Sequence, residues 1–129
     1  MGKNPVDRRW VALGAWFVGI GVAGGAVGTH ALEAAGDADA AMRMQTGSQA
    51  AVWMGLGTML LAMLAVERLF LWANAAGVVL FSGLLMAKSL APHPFETTPI
   101  GSLIPVGGSL LILNWLVLGI RLMLRPLCF

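Results

Sequence analysis

The stretch Trp10–Gly28, WVALGAWFVGIGVAGGAVG, contains no charged residue, and its length decides the fold class. A helix rises about 1.5 Å per residue, so about 20 apolar residues cross a hydrocarbon layer roughly 30 Å thick. Three further charge-free stretches follow, at 44–66, 69–87 and 97–120. The pattern predicts an integral membrane protein with four helical spans, at about 10–28, 50–66, 69–87 and 100–120.

The composition agrees with a membrane-embedded chain. Of the 129 residues, 58% are hydrophobic and 11% are charged, whereas about 25% of the residues of a soluble domain are charged. The length allows one domain, covering 1–129. We therefore expect a single all-α domain built as an antiparallel up-down bundle of four transmembrane helices.

The basic residues predict the orientation. If the N-terminus is cytoplasmic, the far side of the membrane holds only Arg43 and Lys88. The cytoplasmic side then holds the other six basic residues: Lys3, Arg8, Arg9, Arg68, Arg121 and Arg125. This bias follows the positive-inside rule, so both termini are expected in the cytoplasm. Because the charges are spread along the chain, a nucleic-acid partner is not expected.

The connections carry their own signals. Asp37 precedes a run of helix-forming residues and is a suitable N-cap, so a surface helix is predicted at 38–49, leading into the second span. The link Glu67–Arg68 is so short that it forces spans two and three into an antiparallel hairpin.

Glycines concentrate in the outer halves of spans one and four. Span one has two small-xxx-small pairs, formed by Gly21, Gly24, Gly25 and Gly28, and span four has Gly101, Gly107 and Gly108. Glycine lets helix backbones approach closely in lipid, so we expect spans one and four to pack together there. Pro105 is expected to bend span four or to delay its start. A small cavity for a lipid or quinone at these residues is the alternative.

Two asparagines lie at matching depth in spans three and four. Asn74 and Asn114 are each five or six residues from the predicted inner ends. We expect an interhelical hydrogen bond between them, worth on average about 0.6 kcal/mol in a membrane.

No catalytic constellation is visible in the spans. They hold no ionisable residue, the usual sign of a proton relay or transport path, and no paired carboxylates. We therefore expect no enzyme activity, no cofactor and no metal site. The histidines, His30 and His93, fit interfacial hydrogen bonding better than a copper site shared with methionines.

Three motifs resemble a known family. They are GAVGTHAL at Gly25–Leu32, FSG at Phe81–Gly83 and IGSLIPVGG at Ile100–Gly108, and Trp115 follows them. They resemble the YgdD-like family, also catalogued as transmembrane protein 256 or domain of unknown function 423. The resemblance implies a four-helix protein of the bacterial inner membrane without an established activity.

Within that resemblance, His30 belongs to the first motif. The family tends to have a histidine and a tyrosine early in span two, where this chain has Met54 and Ala50. With no chemistry to assign, we expect an accessory or structural subunit that packs in the bilayer against a larger membrane complex. The alternatives are a small transporter or channel and a lipid- or quinone-binding protein.

Overall fold

The computed structural model describes residues 6–125, and Lys3, counted above among the cytoplasmic charges, lies outside them. Within this range the fold is all-helical, as predicted. It contains the α-helices α1 (Arg8–Val27), α2 (Ala38–Met63), α3 (Arg68–Val78), α4 (Leu84–Leu90), α5 (His93–Thr97) and α6 (Leu103–Leu124). A π-helical turn at Gly28–Leu32 extends α1, and a second at Val79–Gly83 joins α3 to α4. A 3₁₀ turn at Pro99–Ser102 leads into α6.

Three helical segments are long and apolar enough to cross a membrane: Arg8–Leu32, Arg68–Leu90 and Pro99–Leu124. They coincide with predicted spans one, three and four, which supports a membrane protein. The remaining long helix, α2, covers predicted span two but is not among them. Its burial explains this, because a helix that faces protein instead of lipid can carry small and polar residues such as Ser48 and Thr58, both of which are buried.

The most extensive helix contact joins α1 to α2 through small residues. On each helix these residues recur every seven positions, and they meet in antiparallel order as Gly14 with Gly55, Gly21 with Ser48 and Gly28 with Ala41. A methyl group added to Gly14 would lie 2.6 Å from the carbonyl oxygen of Gly55. The Ser48 hydroxyl donates to the Gly21 carbonyl at 2.7 Å. The two backbones therefore touch, in the heptad pattern of a left-handed antiparallel pair.

The other helices pack on α2 and on one another. The segment α3–α4 lies against α2, and α6 packs on α3 and on the π-helical turn that follows it. A methyl group on Gly107 would lie 2.6 Å from the Cβ of Leu80 in that turn. The prediction that spans one and four pack together through their glycines is wrong, because the glycines of α1 pack on α2 and α4, and Gly107 packs on the turn between α3 and α4.

One end of the bundle holds most of the core. We call it the basic end, because Arg8, Arg9, Arg68, Arg121 and Arg125 lie there. All four long helices contribute to its buried apolar cluster, which contains Trp10, Leu61, Ala62, Val66, Phe70, Leu71, Ala75 and Leu118.

Two tight reversals set the antiparallel order. Gly36 (φ 81°) ends the α1 segment, and Ala65 (φ 53°) ends α2, both in the left-handed region. In the second reversal the Val66 N–H donates to the Leu61 carbonyl at 3.3 Å, which satisfies an orphan carbonyl of the last helical turn. Ala65 adopts the left-handed conformation that glycine usually provides in such turns, and this conformation costs an L-residue about 1–2 kcal/mol of conformational free energy.

The segment predicted as a surface helix, 38–49, is the first half of α2 and belongs to the bundle. Asp37 caps it as expected, since its side chain accepts from the Ala40 N–H at 3.1 Å. Ala40, Ala41 and Met44 are all at most 2% exposed. This half of α2 therefore packs inside the protein and does not lie free on a membrane surface.

The ion pair Glu67–Arg121 ties the start of α3 to the last turn of α6 at the basic end. Glu67 lies in the loop between α2 and α3. A backbone hydrogen bond at Glu67 itself is the main reason why the pKa of this carboxyl lies below 4.5. Desolvation raises this pKa, and the hydrogen bond and charge of the Arg121 guanidinium lower it further. The folded protein thus favours the ionised carboxylate.

We expect Gly21→Ala to destabilise the protein and Gly19→Ala to leave it unchanged or stabilise it. A methyl group on Gly21 would lie 2.8 Å from the Ser48 carbonyl oxygen, whereas Gly19, in the same helix, has nothing within 4 Å. Overpacking costs about 1–3 kcal/mol, and replacing an exposed helical glycine by alanine gains about 0.8–1.0 kcal/mol. Unfolding in mixed micelles measures both, and equal effects of the two substitutions would contradict close backbone packing at Gly21.

We also expect the protein to lose stability as the pH falls below about 4.5. In this range the Glu67 carboxylate becomes protonated in the unfolded chain before it does so in the folded protein. A carboxyl whose folded-state pKa is lowered stabilises the fold above its unfolded pKa, and protonation removes that contribution. Melting temperatures at pH 7 and pH 4 should therefore differ more for the native protein than for Glu67→Gln. If the melting temperature of Glu67→Gln fell more between pH 7 and pH 4 than that of the native protein, the ionised Glu67 carboxylate would not stabilise the fold.

Candidate functional site

The span-one glycines predicted to border a cavity are filled by neighbouring side chains. A methyl group on Gly25 would lie 2.9 Å from the Ser48 Oγ, and one on Gly28 would lie 3.2 Å from Met44 Cγ. The space beside Gly24 is taken by the end of the Met86 side chain. These glycines of the first span pack against α2 and α4 and border no cavity shared with span four.

The span-four residues divide between packing and exposure. Gly107 is buried against Leu80 and Phe81, while Gly101 has only the Phe95 ring near it, at 3.9 Å. Pro105 is exposed and is the third residue of α6. In a first helical turn the missing proline N–H removes no helical hydrogen bond. Of the two effects expected of Pro105, the late start of α6 fits its position, and Leu103 begins the helix after a 3₁₀ turn.

Asn74 is the centre of a buried polar cluster that joins three helices. Its side chain is fully buried, and its Nδ2 donates to Thr58 Oγ1 at 2.6 Å and to the Met54 carbonyl at 3.3 Å, both on α2. Its Oδ1 accepts from Trp115 Nε1, on α6, at 2.9 Å. The Asn74 side-chain amide of α3 thus forms hydrogen bonds with both α2 and α6.

The second predicted asparagine makes a different bond. Asn114 Nδ2 donates to the Phe70 carbonyl at 3.1 Å, which again links α6 to α3. The direct bond predicted between Asn74 and Asn114 is wrong, although both residues do join helices at similar depth. The sequence reading missed the true partners, Thr58 and Trp115, because a lone threonine or tryptophan in an apolar run carries no pairing signal.

An apolar groove runs between α2 and α6 beside this cluster. It has a volume of about 410 Å³ and is lined by Ala50, Trp53, Met54, Phe81, Gly108, Leu111, Ile112 and Trp115. Gly108 is thus the one predicted glycine that borders it. Both positions at which the family resemblance suggests other residues, Ala50 and Met54, also line this groove.

A second hollow lies on the outward face of α1, opposite the side that contacts α2. Its volume is about 500 Å³, and it is lined by Ala12, Ala15, Trp16, Gly19, Ile20 and Ala23. Ala15, Gly19 and Ala23 are spaced four residues apart, so they form one small-residue ridge along the helix. Trp16 beside this ridge is 70% exposed. The hollow has the shape and composition of a helix-docking face, and we call it the outer α1 face.

The histidines lie apart from these features. His30 is exposed in the π-helical turn at Gly28–Leu32, where Gln45 Nε2 donates to the neighbouring Thr29 hydroxyl at 3.0 Å. His93 is exposed at the start of α5. Among residues 6–125, no three His, Cys, Asp or Glu side chains form a group that could hold a metal ion.

Removing the Asn74 amide should destabilise the protein more than removing the Trp115 donor. Asn74→Leu deprives two acceptors, Thr58 Oγ1 and the Met54 carbonyl, and one donor, Trp115 Nε1, of their partner, and each buried polar group left without one costs about 1–3 kcal/mol. Trp115→Phe breaks one bond, worth about 0.6 kcal/mol on average in membranes. The two single variants and the double variant, unfolded in mixed micelles, form a thermodynamic cycle. Additive effects would contradict the bond between them.

A comparison with protein-family models identifies the family of this chain. The family DUF423, described as a protein of unknown function, has a model that matches residues 24–108, which include all three motifs that carry the resemblance. No curated protein and no solved structure matches the chain. Because the match covers more than half of the 129 residues, the chain belongs to the DUF423 family.

Proposed function

We propose that this protein is a non-enzymatic accessory subunit of a larger membrane complex and that it docks through the outer α1 face. The proposal involves no catalysis, no cofactor and no nucleic acid. The observation that carries it is the exposed ridge of Ala15, Gly19 and Ala23 beside an exposed tryptophan.

The physical argument comes from the two faces of α1. One face uses Gly14, Gly21 and Gly28 to bring the α2 backbone into contact. The opposite face repeats the small-residue chemistry but has nothing within 4 Å of Gly19 in this chain. Lipid supplies no hydrophobic drive between helices, so close packing of small residues is what associates them. Large aromatic side chains such as Trp16 anchor many interfaces.

The same proposal places the chain in the bacterial inner membrane with four spans and both termini in the cytoplasm. Helix α2 has 26 residues, about 39 Å at 1.5 Å per residue, which is enough to cross a bilayer. It lies alongside α1 from Gly14 to Gly28, so a membrane that surrounds α1 also surrounds α2. The basic residues at the basic end give the orientation.

A second candidate is binding of a lipid or quinone in the groove between α2 and α6. Trp53, Phe81 and Trp115 give this groove aromatic walls suited to a flat ring or a hydrocarbon chain. A small transporter or channel has less support. A transport path needs polar groups that face a continuous space. The buried polar side chains of Ser48, Asn74 and Asn114 instead form hydrogen bonds between helices.

Substitution of Gly19 tests the accessory role. Gly19→Leu fills the hollow on the outer α1 face without a clash, and Gly119→Leu is a matched control because Gly119, on α6, also has nothing within 4 Å. After solubilisation of native membranes in mild detergent, we expect a defined complex with the native protein and with Gly119→Leu. Gly19→Leu should weaken it at least about tenfold, equivalent to 1.4 kcal/mol.

Three outcomes would contradict the proposal. The first is a lone monomer from native membranes in every variant. The second is an equal loss of the complex in both glycine variants, which would place the contact elsewhere. The third is a complex that both variants retain, which would leave the outer α1 face without a role. A bound quinone or lipid retained by all variants would instead favour the groove.

A further inference from the structure

We infer that the basic end of the bundle contains a binding site for one anionic phospholipid, in a hollow between the first turns of α1 and α3. The hollow has a volume of about 400 Å³ and is lined by Asp7, Arg9, Trp10, Leu13, Arg68 and Trp72. It is separate from the outer α1 face and from the groove between α2 and α6. The inference goes beyond the accessory role and does not depend on it.

The charged side chains that line the hollow favour a ligand with a single negative charge. Two arginines, Arg9 and Arg68, and one acidic residue, Asp7, line the hollow. Asp7 Oδ1 already accepts from the Arg9 backbone N–H at 2.9 Å, as the N-cap of α1. Its Oδ2 is 3.9 Å from Arg68 Nη2, a loose contact that leaves the Arg68 side chain 78% exposed. Among residues 6–125 the hollow is therefore lined by one more positive than negative side chain, which matches a phosphodiester.

The neighbouring charges do not fill this role. Glu67, next to Arg68 in the chain, pairs with Arg121 of α6. Arg121 also donates to the Arg125 carbonyl at 2.8 Å. The carboxylate closest in sequence to Arg68 thus binds elsewhere, and the Arg68 guanidinium can bind a phosphate group.

The walls below the charges fit acyl chains. Leu13 follows Arg9 by four residues and Trp72 follows Arg68 by four, so each helix presents an arginine and, one turn deeper, an apolar side chain on the same face. Trp72 is 64% exposed and packs edge-on against Trp10, with ring centroids 5.0 Å apart. The hollow thus has a phosphate level and a hydrocarbon level in the order in which a lipid presents them.

The position of the hollow favours a lipid over a soluble phosphate. Arg8 and Arg68 begin two of the apolar segments long enough to cross a membrane. The hollow therefore lies where a bilayer changes from headgroups to acyl chains, and basic residues near that level attract anionic lipids by about 1 kcal/mol each.

The test compares phosphatidylglycerol with phosphatidylcholine by tryptophan quenching. The full chain is prepared as a Trp16→Phe, Trp53→Phe variant, which removes two exposed tryptophans that do not line the hollow and leaves Trp10 and Trp72 as reporters beside Trp115. Lipids with brominated acyl chains quench tryptophans that they contact. We expect a preference for phosphatidylglycerol of at least about fivefold, which is the effect of one excess positive side chain at about 1 kcal/mol.

Two double variants remove equal charge from the same end of the bundle. Arg9→Gln, Arg68→Gln changes the hollow and should reduce the preference to near parity. Arg8→Gln, Arg125→Gln is the control, because neither residue lines the hollow, and it should keep the preference. If the first variant fails to fold, Arg9→Gln and Arg68→Gln alone should each show a partial loss.

Several results would overturn the inference. Equal quenching by the two lipids in the unsubstituted background would show that the hollow binds no anionic lipid. An equal loss in both double variants would assign the preference to diffuse surface charge. Displacement of the brominated phosphatidylglycerol by millimolar inorganic phosphate would assign the site to a soluble anion.

Discussion

The contact between the backbones of α1 and α2 is the constraint on which the rest of the structure depends. Gly14, Gly21 and Gly28 remove side chains along one stripe of α1, and the α2 backbone occupies the space. Because α1 and the segment α3–α4 both pack on α2, α2 is the helix on which the others converge. The sides of α2 that meet these helices do not have to match lipid, which is why Ser48, Thr58 and several glycines are tolerated there, while Trp53, Leu56 and Leu60 on its remaining side are exposed.

Predicted spans one, three and four coincide with helical segments long and apolar enough to cross a membrane, because the bilayer imposes its thickness directly on the sequence. The partner of each helix could not, because a glycine indicates that something approaches closely without saying what. Pairs four residues apart, such as Gly21 and Gly25, suggested a contact with span four. The informative signal was a seven-residue spacing in two adjacent helices, with Gly14 and Gly21 matching Gly55 and Ser48 in antiparallel order. Short connections favour such sequence neighbours.

The same limit applies to the polar residues. Depth was readable from the sequence, since Asn74 and Asn114 do join α3 to α6. Their partners depended on helix rotation, and the second π-helical turn shifts that rotation partway along the segment α3–α4. Such turns insert a residue into a helix and are frequent at functional sites. This one coincides with the FSG motif and holds Ser82, whose buried hydroxyl has no partner among the described residues.

The wrong prediction about spans one and four bears on the proposed docking face. In a closed ring of four antiparallel helices the first and last helices are neighbours, and each uses two sides for packing within the chain. Here α6 packs on α3 and its π-helical turn, while α1 packs on α2 and, through Gly24, on Met86 of α4. The face of α1 that carries Ala15, Gly19 and Ala23 therefore remains exposed. Because small residues allow close helix packing in lipid, this exposed ridge is the surface on which we base the proposed contact with a partner.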